Sequence, residues 1–171
     1  MRRKFDFYAT PGKATRKLLE YCPELLLSRV VIEPCAGDMA IASILKEFYK
    51  VVLTNDIDPS QKGCDFYGDA KLVDTDPSSV IITNPPFNQA IEIVSNFVGQ
   101  GCPSAFLLRL SFLEPTEKRG DWLKQNPPAG LIILPRISFT NDGKTDSVTC
   151  AWMVWNVEPF GVIVVPKSEF K

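Results

Sequence analysis

Val80-Ile81-Ile82-Thr83-Asn84-Pro85-Pro86-Phe87 sets the reading of the whole chain. Its first half is a short apolar, β-branched run, the pattern of a strand buried on both faces. Its second half cannot extend that strand, because each proline fixes its own φ and removes a backbone donor. The residue before a proline is also held extended. Asn84 and Pro85 are therefore locked into one shape. They offer two oxygen acceptors, the Asn84 side chain and the Pro85 carbonyl, beside the Phe87 ring. That suits a planar heterocycle bearing an amino group, whose two N–H bonds donate while its ring stacks. A proline-rich turn with a core aromatic is the plainer alternative. Asn126-Pro127-Pro128-Ala129 is an internal comparison: it lacks the aromatic, precedes the apolar run 131–134 and reads as a structural loop.

Outward from this stretch, short apolar runs predict strands at 30–33, 51–54, 80–83, 105–108 and 131–134, with a weak one near 65–67. The stretch 148–157 is long and apolar, and 162–165 adds another strand. Helical spacing covers 15–27 with a break at Pro23, then 39–48, 88–98 and 116–124. Strands alternating with amphipathic helices predict an α/β fold with a mostly parallel central sheet covered on both faces. Asn141-Asp142-Gly143 is a turn signal between extended stretches and predicts an antiparallel C-terminal strand. There is no internal repeat, low-complexity tract or linker, so residues 1–171 read as a single domain.

A chain of 171 residues, 45% hydrophobic and 23% charged, can bury a sizeable core. No apolar run approaches the ~20 residues that span a bilayer. The basic start, Met1-Arg2-Arg3-Lys4, is not followed by a long apolar segment, so neither membrane nor secretion is expected. The five cysteines are scattered and never spaced C-x-x-C, which reads as reduced cytoplasmic thiols rather than disulfides or structural zinc. The chain contains no histidine. That removes Ser-His-Asp and Cys-His triads, HExxH zinc sites and histidine bases together. With a net charge of −1, no global field favours nucleic acid. Arg2-Arg3-Lys4, Lys13 with Arg16-Lys17, and Lys118-Arg119 with Lys124 read as solvated faces unless they gather around one cleft.

Ligands of doubly wound sheets bind beyond the carboxyl ends of the strands. The informative residues collect there. The first strand is followed by Glu33-Pro34-Cys35-Ala36-Gly37-Asp38, the second by Asn55-Asp56-Ile57-Asp58-Pro59, the third by Gly68-Asp69-Ala70 and the fourth by Asn84 to Phe87. No G-x-G-x-x-G or G-x-x-x-x-G-K-[ST] is present, which disfavours dinucleotide and triphosphate sites. Singly, Gly37 is a turn residue, and Asp56 and Asp69 are helix caps or turn acids. Four such groups at successive strand ends point to one ligand cleft.

With these residues in view, the chain resembles the S-adenosylmethionine-dependent amino-group methyltransferases. Within them it is most similar to adenine-N6 DNA methyltransferases of the kind found in phages. The resemblance runs over residues 8–155. The family's (D/N/S)-P-P-(Y/F/W) motif falls on Asn84, Pro85, Pro86 and Phe87, which it makes catalytic. The resemblance implies a Rossmann-like S-adenosylmethionine-dependent methyltransferase fold, with S-adenosyl-L-methionine as cofactor. Glu33, Pro34, Cys35, Ala36 and Gly37 correspond to the cofactor loop. Asp56, with Ile57 beside it, corresponds to the ribose ligand. Asp69, with Ala70, corresponds to the contact for the cofactor's adenine. Thr10 and Pro11 fall near the methionine end, and Asn84 borders the cofactor too. Phe87 would stack on the target base, and Phe139 would cover its other face. Two features depart from the family: Met39 stands where a second loop glycine is usual, and no insertion is large enough for a separate target-recognition domain. DNA is the implied partner, with no metal. The implied location is the cytoplasm, that of the host for a phage-encoded enzyme. A homodimer would add reading surface. The nearest alternative is the same chemistry on RNA bases or a protein glutamine amide. The alternative from another class is a non-catalytic nucleic-acid-binding partner subunit.

Overall fold

The computed structural model describes residues 9–137 and 148–170. Its strands are β1 (Val30–Glu33), β2 (Val51–Asp56), β3 (Phe66–Tyr67), β4 (Val80–Thr83), β5 (Ser104–Arg109), β6 (Gly130–Ile133), β7 (Cys150–Trp155) and β8 (Gly161–Val164). The α-helices are α1 (Gly12–Tyr21), α2 (Ala40–Leu45), α3 (Ala90–Gly99) and α4 (Gly120–Gln125). The strands form one eight-stranded sheet in the order β3-β2-β1-β4-β5-β7-β6-β8. Strands β1 to β5 pair in parallel. β7 runs antiparallel to both β5 and β6. The expected mostly parallel sheet with an antiparallel strand near its C-terminal end is therefore present. One element goes further: β8 lies parallel to β6 at the edge. The reversal between β7 and β8 uses left-handed backbone at Asn156 (φ 57°) and Gly161 (φ 78°), conformations that asparagine and glycine tolerate best.

Both faces of the sheet are covered, and this explains its unbroken apolar runs. Val80 and Ile82 of β4 pack with Leu18 and Leu45 on one side, while Ile81 packs with Val94 and Phe97 on the other. β5 divides likewise, with Ala105 and Leu107 on the first face and Phe106 and Leu108 on the second. The two buried indoles of β7 face opposite ways and each finds an acceptor. Trp152 Nε1 donates to the Ala14 carbonyl at 2.8 Å, and Trp155 Nε1 to the Asn126 carbonyl at 3.0 Å. The second Asn-Pro-Pro copy thus serves as a structural loop.

The helices are shorter than their sequence periodicity predicts. α1 begins after Pro11 and stops before Pro23, which opens a 3-10 turn, Pro23–Leu27. α3 is preceded by a 3-10 turn, Phe87–Gln89, because the two prolines exclude helix immediately upstream. The Asn141-Asp142-Gly143 turn and Phe139 lie outside the described residues. No helix among the described residues is long and apolar enough to cross a membrane.

The strand order reverses between β1 and β4, since β2 and β3 lie on one side of β1 while β4 and β5 lie on the other. The loops leaving β1 and β4 diverge there and open a crevice at the carboxyl ends of the strands.

Candidate active site

That crevice is an open, concave cleft at the strand ends, the setting in which ligands of α/β sheets bind. Glu33, Pro34, Cys35 and Ala36 enter it from the end of β1, and Asp56 and Ile57 from β2. Asp69 and Ala70 follow β3, Asn84 and Pro86 follow β4, and Thr10 arrives from the segment ahead of α1. Pro11, Gly37, Pro85 and Phe87 do not line it. The Pro11 carbonyl instead accepts from Ala14 N (2.8 Å) at the start of α1.

Two adjacent residues of β2 tie the floor of the cleft together. Asn55, 5% exposed, donates through Nδ2 to the carbonyls of Pro34 and Gly68, both at 3.0 Å. Its own carbonyl accepts from Ala36 N at 2.9 Å. Asp56 accepts from Gly37 N through Oδ2 and from Asp58 N through Oδ1, each at 2.8 Å. The Asp56 carbonyl accepts from Gly68 N at 3.0 Å. The loops after β1, β2 and β3 therefore hang from residues 55 and 56. Gly37 lies at φ 52° and Met39 at φ 67°, both left-handed. The position at which the resemblance expects a second glycine thus does adopt a glycine-like backbone. Its methionine side chain accepts a conformation costing ~1–2 kcal/mol.

Asp69 is both a cap and a lining residue. Its side chain accepts from Lys71 N at 3.0 Å, and its Oδ2 lies 3.3 Å from Lys71 Nζ.

Glu33 is the electrostatic singularity of the cleft. It is 1% exposed, and its Oε2 has no hydrogen-bond partner among the described residues. Burial holds its carboxyl well above the ordinary range, reinforced by Asp38 and Asp56 and opposed by the Ala42 N–H and Lys46. Burial, with Asp56, also pushes the Cys35 thiol up, so it is a poor nucleophile.

At the end of β4, Asn84 Nδ2 donates to Thr10 Oγ1 at 3.1 Å. That bond joins the two segments that flank the cleft. Phe87 borders a second groove with Ala90, Ile91, Phe112, Thr116, Lys118 and Arg119. One face of its ring carries the Arg109 guanidinium, 4.2 Å from the centroid. Phe139, the expected second aromatic, lies outside the described residues.

Asp38, the last residue of the informative stretch after β1, lines the cleft as well, and so do Ala40, Ile41, Gln61, Gln89 and Ile93, which the sequence did not single out. Ala40's place follows from the 33–38 loop running on into α2. Gln61 depends on the path of the turn after β2 and had no signal. Arg109 carried no motif either.

No protein-family model matches the chain, and no curated protein does. Solved structures do. A protein from Pyrococcus horikoshii described as a candidate RNA methyltransferase superposes with a TM-score of 0.65 at 19% identity, covering 90% of this chain and 89% of that one. A 23S rRNA methyltransferase gives 0.61 at 13%, covering 90% and 71%. A dimethyladenosine transferase from Plasmodium falciparum gives 0.57 at 17%, covering 96% and 65%. At these identities the likeness concerns the fold, a Rossmann-like α/β fold shared with these methyltransferases.

Proposed function

We propose that this chain, as a single domain, transfers a methyl group from S-adenosyl-L-methionine to the exocyclic N6 amino group of adenine in a nucleic acid. The observation that carries the reading is Asn84-Pro85-Pro86-Phe87 leaving β4 with Asn84 in the same cleft as Glu33, Asp56 and Asp69. The cleft fits the cofactor. The buried, unpartnered Glu33 oxygen calls for a cationic group, and the Asp56, Asp58 and Asp69 carboxylates suit hydroxyl and amine donors. When bound, the cofactor supplies an electrophilic methyl group.

The protein's own contribution is alignment and charge stabilisation. An adenine N6 lone pair is delocalised into the ring and is a weak nucleophile. Asn84 Oδ1 and the Pro85 carbonyl accept the two amine N–H bonds and stabilise the positive charge that develops on nitrogen. The prolines hold both acceptors rigid, so little reorganisation is needed during the reaction. Phe87 stacks on the base. In a duplex the base must first leave the stack, at a cost of a few kcal/mol.

The motif resemblance favours DNA as the polymer. RNA is the second reading, favoured by structural neighbours described as RNA methyltransferases and a dimethyladenosine transferase. The test is transfer of labelled methyl to DNA and RNA strands of matched sequence and to a glutamine-bearing peptide. N6-methyladenine in either polymer is the expected product; label found solely on the peptide would overturn the proposal.

Asp56→Ala is expected to weaken cofactor binding by ~1.5–3 kcal/mol, as for hydrogen bonds to a charged group. Asp56→Asn retains an acceptor oxygen and should lose less. Calorimetry giving unchanged affinity for Asp56→Ala would move the ribose contact to Asp58.

Target selection is expected to be relaxed. The connecting segments 111–130 and 135–147, of which 138–147 lie outside the described residues, carry Lys118, Arg119, Lys124, Arg136 and Lys144 with Asn141 and Thr145. Lysines and arginines there mainly hold phosphates, which positions a strand without reading it. Each base-reading bidentate contact gives ~1–3 kcal/mol of discrimination, and so few residues supply one or two. A methylation map showing strict recognition of a long site by the monomer would contradict this.

A further inference from the structure

The groove beside Phe87 has a chemistry of its own. It is lined by Phe87, Ile91 and Phe112, and the charged residues lining it are Lys118 and Arg119, both cationic. Arg119 lies over the Phe112 ring at 5.5 Å, just as Arg109 lies over Phe87. The Arg109 Nε is buried and has no hydrogen-bond partner among the described residues. The neighbouring acids Glu114, Glu117 and Asp121 are exposed and do not line the groove. An apolar, aromatic slot rimmed by cations suits a ligand with a flat ring and an anion a few ångströms away. Proteins that hold single strands combine these two features, aromatic platforms for bases and a cationic track for phosphates. The groove also adjoins the cleft through the motif itself, because Pro86 lines one and Phe87 the other.

We propose that this groove binds the nucleotide next to the target adenine, its base between Ile91 and Phe112 and its phosphate on Lys118 and Arg119. The inference rests on the reading that the target is adenine in a nucleic acid. It deepens that reading by specifying the substrate as an unpaired strand or loop. Two adjacent nucleotides, one in the cleft and one in the groove, cannot both remain paired, and duplex would pay for two extrusions.

The test measures methyl transfer to substrates with one adenine: the mononucleotide, dinucleotides extended on either side, a longer single strand, and that strand in duplex, each in deoxyribo and ribo form. Extension on one side should raise kcat/KM by at least ~5-fold, the lower end for stacking one base on an aromatic. The single strand should exceed its duplex. Lys118→Glu with Arg119→Glu should abolish the gain from extension. Ile91→Glu, within the apolar lining, should also abolish it. Equal kcat/KM for mononucleotide and both dinucleotides, variants that keep the full gain, or a preference for duplex would overturn the groove assignment while adenine methylation stood. Absence of transfer to every nucleotide would overturn the parent reading along with it.

Discussion

Asn84→Ala is expected to lower turnover by at least ~100-fold, the effect of losing one preorganised transition-state hydrogen-bonding group, and to leave cofactor affinity nearly unchanged. The amide oxygen is one of two acceptors for the target amine. The other, the Pro85 carbonyl, belongs to the backbone and survives the substitution, so a residual rate should remain. Single-turnover transfer of labelled methyl measures the first quantity and calorimetry with the cofactor the second. The bond from Asn84 Nδ2 to Thr10 Oγ1 adds an internal control. Thr10→Val removes the group that orients the amide but keeps the amide. Its loss should be far smaller, ~2–13-fold for one ordinary hydrogen bond. Turnover near that of the wild type for Asn84→Ala would remove Asn84 from catalysis.

The second large effect concerns Glu33, whose carboxyl is held above its ordinary value of 4.5 mainly by burial. In the unliganded protein the folded state therefore keeps this proton to higher pH than the unfolded chain does. Stability from this group is fully present below the ordinary value and is lost as pH rises from there through the raised folded value. Glu33→Gln removes the ionisation, so the unliganded variant should melt higher than the wild type at neutral pH, with the gap closing near pH 4.5. A cation bound beside Glu33 reverses the balance by favouring the carboxylate. Cofactor binding to the wild type should then release a proton, and affinity should rise with pH across the same window. In Glu33→Gln the proton release should vanish and affinity should fall at least ~30-fold, the lower end for truncating one partner of a buried charge pair. Calorimetry in two buffers of different ionisation enthalpy reads the proton directly. Binding without proton release in the wild type would show that Glu33 does not face the cation.

The two strands that build the crevice, β1 and β4, are legible in the sequence because each is a short apolar run ended by a chemical stop. Glu33-Pro34 ends one and Asn84-Pro85 the other. The acids at the strand ends are legible for the same reason, since topology brings successive ends to one edge. Helix bounds are less so: periodicity marks 39–48, but α2 begins only after Met39 turns left-handed, and that depends on loop geometry rather than composition. Arg109 shows the limit most clearly. In the parallel register Thr83 lies opposite Phe106, so Phe87 and Arg109 leave neighbouring strands side by side. Nothing local to either residue announces the pairing. It follows from β4 and β5 being neighbours.

The amide of Asn55 has a kinetic consequence. The backbone N–H groups of Ala36, Gly37 and Gly68 all end on residue 55 or 56, and the carbonyls of Pro34 and Gly68 end on the Asn55 side chain. None of these loops can open alone, because each excursion breaks bonds shared with the others. Their amide protons should exchange with solvent as one cooperative unit rather than three. A ligand then meets a floor that is already assembled, and differences in affinity among ligands should appear in how fast they leave, not in how fast they arrive.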